Sequence, residues 1–229
     1  MDDDSNMKWT ILENPDAVAR TACERIVQAS KRAITDRGEF HIVLAGGSTP
    51  EKTYGLLAAA ECDWKRWHLW FGDERCLPRD HPDRNSVMVE RALSGKVAVP
   101  AKQIHVIPAE LGPELAAKQY AKSLESVSLF DMVLLGMGED GHTASLFPGH
   151  THPAGESVLA IYDSPKLPAE RVSLSTEALA RCRQLLFIIT GREKAGAIAQ
   201  WRNGTQLPVS MVRGQGKTEV ISDQSAFIT

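Results

Sequence analysis

Between Gly136 and Gly149 the chain places Asp140, His142 and Ser145 among four glycines. Imidazole is the side chain best suited to exchange protons near neutral pH, so His142 is a candidate general base. Asp140 stands two residues before it and could hold the loop or tune the histidine. Four glycines exceed the needs of one turn and suggest a backbone that passes close to a ligand. Three other readings compete. His142 could satisfy a local backbone hydrogen bond. It could join His150 and His152 at a metal, although the carboxylate or cysteine company of such a site is weak. Ser145 could be a nucleophile, but the G-x-S-x-G pattern is absent around it. The general base is favoured over all three.

Two further segments carry chemistry. Gly46-Gly47-Ser48-Thr49-Pro50 follows an apolar run and ends in a proline suited to a first helical turn, with Ser or Thr as a natural N-cap. A helix start of this kind offers N–H groups and a positive dipole to a phosphate, and the glycines let the anion approach. It also reads as a turn that needs its glycines only to fold, and it matches neither nucleotide-binding glycine pattern. Asp73-Glu74-Arg75 crowds the end of a Trp-rich run. Asp73 could hydrogen-bond hydroxyl groups and Arg75 could bind a phosphate or a developing oxyanion, against the commoner fate of a solvated charged turn. Trp64, Trp67 and Trp70 read as packing residues.

These loops need elements to hold them. Apolar runs at 41–45, 67–71, 104–107, 130–135, 171–174, 185–190 and 220–221 read as strands, preceded by a short element at 8–12. Helical spacing predicts helices over 15–32, 50–60, 85–93, 114–124, 176–183 and 192–201. Continuous apolar strands alternating with helices predict an α/β fold: one domain over 1–229, a mostly parallel open sheet with helices on both faces. Residues 1–10 read as a mobile lead-in, and 148–168 as the longest irregular stretch, the kind that often covers a site. In such sheets ligands bind beyond the carboxyl ends of the strands, where all the loops above fall.

Composition agrees with a soluble globular chain of 229 residues, 43% hydrophobic and 24% charged, with a formal net charge of −3. That balance points away from nucleic acid and anionic membranes as partners. The acidic opening Met1-Asp2-Asp3-Asp4 is unlike a secretory leader, and no apolar run is long enough to span a bilayer. Cys23, Cys62, Cys76 and Cys182 lack C-x-x-C spacing, so reduced thiols in a cytosolic monomer are expected, without metal or cofactor.

Taken together, the motifs carry a resemblance. Leu135–Gly149 resembles the signature of the 6-phosphogluconolactonases, and Leu44–Pro50 and Phe71–Arg75 match that family's other two signatures in order and spacing. Element order and length fit over essentially the whole chain. The resemblance implies hydrolysis of 6-phospho-D-glucono-1,5-lactone in the oxidative pentose phosphate pathway, on a Rossmann-like fold shared with glucosamine-6-phosphate deaminases. It also implies Arg171 and Lys194 as phosphate ligands beside Gly46, Gly47, Ser48 and Thr49, with Arg192 ranked behind Lys194. His142 would activate water, Arg75 and loop N–H groups would stabilise the oxyanion, and Asp73 would hold sugar hydroxyls. The deaminases carry a Glu in this segment that sets the state of their histidine; here Phe147 stands in its place. A sugar-phosphate sensor is the other alternative, disfavoured because no basic DNA-binding module accompanies the motifs.

Overall fold

Strand β1 (Met7–Leu12) opens the computed structural model, which describes residues 7–227. The expected mobile lead-in falls largely on residues outside that range; from Met7 onward the chain is strand. Helix α1 (Pro15–Arg37) begins where Asn14 accepts a hydrogen bond from the Ala17 amide and ends at Gly38, whose φ of 86° is left-handed. Val18, Ala22, Ile26, Ala29 and Ala33 form its buried stripe at helical spacing. The helix runs past the expected end at 32 because Gly38, not Arg32, is the stop signal.

The chain continues through β2 (Phe40–Leu44), α2 (Ser48–Leu57), β3 (Trp67–Phe71), β4 (Asp73–Arg75), α3 (Asn85–Val89) and β5 (Ile104–His105). Then follow α4 (Pro113–Leu124), β6 (Met132–Leu135), β7 (Val158–Ile161), β8 (Arg171–Leu174), α5 (Thr176–Ala180), β9 (Gln184–Ile189), α6 (Ala195–Arg202), α7 (Pro208–Met211) and β10 (Lys217–Asp223). Seven strands form one parallel sheet in the order β1-β10-β9-β6-β2-β3-β5. Successive residues of a strand face opposite sides, and all four residues of β6 are buried, so the sheet is covered on both faces.

Several bounds change: the strand expected over 104–107 covers only Ile104–His105, and the helix expected over 176–183 ends at Ala180. The segment 148–168 is not wholly irregular, because Val158–Ile161 pairs antiparallel with β8, which pairs in turn with β4 in a second, three-stranded sheet. Its four residues gave too short a run to stand out. The final strand is seven residues long rather than two, since it lies between β1 and β9 and must span both partners.

Topology fixes where a ligand can sit. From β2 the chain moves outward to β3 and β5, then returns to lay β6 on the other side of β2 and β9 beyond it. The loops after β2 and β6 therefore leave neighbouring strands in opposite directions and open a crevice at the carboxyl ends.

At the other ends of the strands lies a ladder of histidines. His41 and His68 are paired in register and stacked with centroids 4.3 Å apart, and His105 stacks on Trp70 at 3.7 Å. The Trp70 indole donates to His41 Nδ1 at 3.1 Å, and His68 Nδ1 lies 3.2 Å from His105 Nε2. Burial, reinforced by His68, pushes His105 down to about 4, and burial likewise lowers His68. The unfolded chain, with its histidines near pH 6.5, therefore binds more protons than the folded one between about pH 4 and pH 6.5. Stability should be complete above that window and fall as the solution is acidified through it. Urea denaturation at pH 7.5 and pH 5 checks this: the midpoint drops in acid for the natural chain and drops less for His105→Gln.

Candidate active site

The crevice holds a cavity of about 380 Å³. It is lined by the loops after β2, β3, β6 and β9 together with residues from the segment before β8. Four cationic side chains, Arg75, Lys166, Arg171 and Lys194, face it against two carboxylates, Asp73 and Glu193. An acidic protein thus carries a locally basic pocket suited to an anion.

His142 lines this cavity, on a loop bent by its own backbone. Gly138 N–H donates to the His142 carbonyl at 2.8 Å, and Gly141 takes a left-handed φ of 83°. Asp140 Oδ1 accepts both the His142 amide at 3.1 Å and, at 2.5 Å, the His142 Nδ1–H. A Cβ on Gly138 would sit 2.0 Å from His142 Nδ1, so glycine is required for the ring to lie where it does. Burial raises the Asp140 carboxyl, but the amide, charge and ring of His142 outweigh it and hold it below the usual value. Burial lowers His142 in turn, against the neighbouring Asp140 carboxylate that raises it. An ionised carboxylate only accepts, so the proton of neutral His142 rests on Nδ1 and Nε2 keeps its lone pair.

Two other readings of this loop fail on geometry. Phe147 packs between His142 and His150, with ring centroids at 4.8 and 5.7 Å, so the three histidines do not converge on a metal. Ser145 is fully buried and donates to Asp73 Oδ2 at 2.7 Å, which leaves it no approach to a substrate. A separate group, Glu39, His41 and His68, has its ligand atoms close enough for a cation. Trp70 N–H occupies the lone pair of His41 Nδ1, however, so Nε2 bears the hydrogen and points at Glu39, 3.0 Å away. Metal at that nitrogen would set two N–H groups against each other; the residues fit a hydrogen-bonded chain instead.

The phosphate-type loop needs one correction. Gly47, with φ of 106°, is the N-cap of α2, and Ser48 and Thr49 are its first helical residues, so neither hydroxyl is the cap. No side chain caps this turn, and its residues Gly46, Gly47, Ser48 and Thr49 line the cavity. Thr49 Oγ1 meets Thr190 Oγ1 at 2.6 Å, tying this loop to the one after β9. A Cβ on Gly46 would strike the Asn85 side chain at 2.1 Å.

The charged turn is built rather than solvated. Asp73 is buried and accepts from Asn85 Nδ2 at 3.0 Å and from Ser145, so it clasps α3 to the His142 loop while still lining the cavity. Glu74 is fully buried; its carboxylate receives the Asn85 and Ser86 amides at the start of α3 and lies 3.4 Å from the equally buried Arg84 Nε. Arg75 lines the cavity and donates to the Asp83 carbonyl. Lys194 faces the cavity and Arg192 does not, which separates those two candidates.

Arg171 also reaches the cavity, but Nε and one terminal nitrogen donate to the carbonyls of Pro168, Lys166 and Leu167. Sequence reasoning missed Lys166, Asn85 and Thr190. Asn85 looked like an ordinary helix start, and only the length of the 148–168 stretch hinted that it carries a site residue.

The family model described as glucosamine-6-phosphate isomerases/6-phosphogluconolactonase matches residues 13–221. The 6-phosphogluconolactonase of Streptomyces coelicolor is 33% identical, over 94% of this chain and 92% of its own. That of Synechocystis is 33% identical over 94% and 95%. The crystal structure of 6-phosphogluconolactonase from Thermotoga maritima superposes with a TM-score of 0.90 at 30% identity, over 95% of this chain and all of the other. A monomeric glucosamine-6-phosphate deaminase superposes at 0.84 with 19% identity, a likeness of fold alone.

The buried Glu74 gives a test of how the second loop is built. Glu74→Ala removes two helix-start hydrogen bonds and one partner of the buried Arg84. We expect a loss of about 3 kcal/mol in urea denaturation, at the low end for a broken buried pair because Glu110 still meets Arg84 at 2.8 Å. A change under about 0.5 kcal/mol, the mark of a solvated surface charge, would contradict the buried assignment.

Proposed function

This chain belongs to the glucosamine-6-phosphate isomerase/6-phosphogluconolactonase family, and from that premise we propose that it hydrolyses 6-phospho-D-glucono-1,5-lactone to 6-phosphogluconate. The observation that carries the choice is the His142 loop: an Asp-oriented imidazole with a basic Nε2, packed against Phe147. A phenyl ring neither accepts nor donates a proton, so the carboxylate partner expected of a ring-opening isomerase is missing.

In the mechanism, Nε2 of neutral His142 takes a proton from water as its oxygen attacks the lactone carbonyl. Asp140 steadies the imidazolium that forms, by charge and by the Nδ1 hydrogen bond. Negative charge gathers on the former carbonyl oxygen, where Arg75 and loop amides offer stabilisation. As the tetrahedral intermediate collapses, the C1–O5 bond breaks and the imidazolium returns its proton to the departing ring oxygen. Asp73 supports the sugar side of the cavity, and the phosphate rests at the start of α2 beside Lys194. An activated ester is electrophilic enough for His142 and water, so we propose a reaction without metal. We further propose that the chain works as a single-domain monomer in the cytosol. No helix among the described residues is long and apolar enough to cross a membrane.

The test is hydrolysis of freshly prepared lactone beside an enzyme-free control, which is needed because the lactone also opens unaided. The natural chain should accelerate opening, and His142→Ala should lose roughly 10²–10⁴-fold in turnover while KM changes little. Gly138→Ala, which displaces the ring without removing it, should fall by a comparable factor with an unchanged melting temperature. Full turnover in His142→Ala would refute the base. Absence of acceleration by the natural chain, with ammonia released from glucosamine 6-phosphate, would refute the reaction.

A further inference from the structure

The resemblance nominates Arg171 as a phosphate cation, and two of its three guanidinium nitrogens also donate to the carbonyls of residues 166–168. What those bonds fix is Lys166. Its carbonyl receives Arg171 at 2.8 Å and Ser164 Oγ at 2.8 Å, and its amide donates to Ser164 Oγ at 3.2 Å. The backbone of one lysine is thus pinned three times, and its side chain lines the cavity.

The Lys166 ammonium meets Glu139 Oε1 at 2.7 Å, and the other oxygen of that carboxylate lies 3.6 Å from Lys194 Nζ. Glu139 therefore bridges two ammoniums from separate segments, one before β8 and one after β9. Lys194 belongs to the loop whose Thr190 touches Thr49, at the uncapped start of α2. The hydrogen bond to Lys166, with a backbone contact and both ammoniums, pulls the Glu139 carboxyl down to about 2 even though half of its side chain is exposed. Two cavity-lining cations that converge on one carboxylate have the arrangement a phosphate would want.

We propose that Lys166 is a further cation of the phosphate subsite, that Arg171 in addition positions it through the Lys166 backbone, and that Glu139 holds the two lysines until the substrate's phosphate replaces it. The proposal rests on the reading that the substrate is a phosphorylated sugar lactone, and concerns how its phosphate is distinguished.

Inorganic phosphate, titrated calorimetrically into the full chain, tests it without requiring turnover. Lys166→Met should weaken phosphate binding roughly tenfold or more, as expected for loss of a charge-assisted contact, and Lys166→Arg should restore most of it. Glu139→Gln should tighten binding, because a competing anion is gone. Arg171→Met should weaken binding in the natural background and cost clearly less in a Lys166→Met background; Ser164→Ala serves the same comparison if Arg171→Met fails to fold. The ratio of kcat/KM for the phosphorylated over the unphosphorylated lactone should fall in Lys166→Met by the same factor as phosphate affinity. Unchanged phosphate affinity in Lys166→Met, no measurable phosphate binding by the natural chain, or independent losses from Lys166 and Arg171 would overturn the assignment. A natural chain that binds phosphate but opens no lactone would instead refute the reaction and leave the anion subsite standing.

Discussion

One carboxylate oxygen, Asp140 Oδ1, takes both the amide and the ring N–H of His142, and the chemistry depends on that double acceptance. The amide bond shapes the loop, the ring bond selects the tautomer, and together they fix which nitrogen can accept a proton from water. The geometry is possible only because Gly138 has no Cβ and Gly141 takes a left-handed turn. Val209 N–H donates to the Gly141 carbonyl at 3.1 Å, so the first turn of α7 braces it from outside. Rigid placement of this kind lets one histidine serve first as base and then as acid without repositioning.

Around that loop, the fold distributes charge by distance rather than by composition. Asp73, Asn85 and Ser145 lock the loops after β3 and β6 together, while Glu74 and Arg84 neutralise each other below them. The cations that remain turned to the cavity are those held by backbone or bridged by Glu139. A net charge of −3 consequently says nothing about the pocket, where basic side chains outnumber acidic ones.

Much of this was legible in the sequence because the informative residues are local. Asp140 and His142 are two apart, and the Gly46–Pro50 turn follows its strand directly, so spacing alone exposed both. Trp67 was readable as core from its apolar run, and it is fully buried. What the sequence concealed depends on contacts between distant residues. Lys166 meets its partner Glu139 twenty-seven positions away, and Arg171 also braces the 166–168 backbone through carbonyls whose direction no residue type encodes. For Glu74 the solvated reading stayed open because burial of an acid requires a partner, Arg84, that pattern reading does not pair with it. The small antiparallel sheet was missed for a similar reason: Val158–Ile161 is too short to announce itself and is defined by pairing with β8.

The central claim is that His142 is a neutral, Asp140-oriented base, and nitrogen NMR of the 15N-histidine-labelled chain tests it most directly, with His142→Ala identifying the signals. The prediction is a proton on Nδ1, an unprotonated Nε2 at neutral pH, and a titration midpoint below the ordinary imidazole value of about 6.5. A proton found on Nε2, or a midpoint at or above that value, would contradict it.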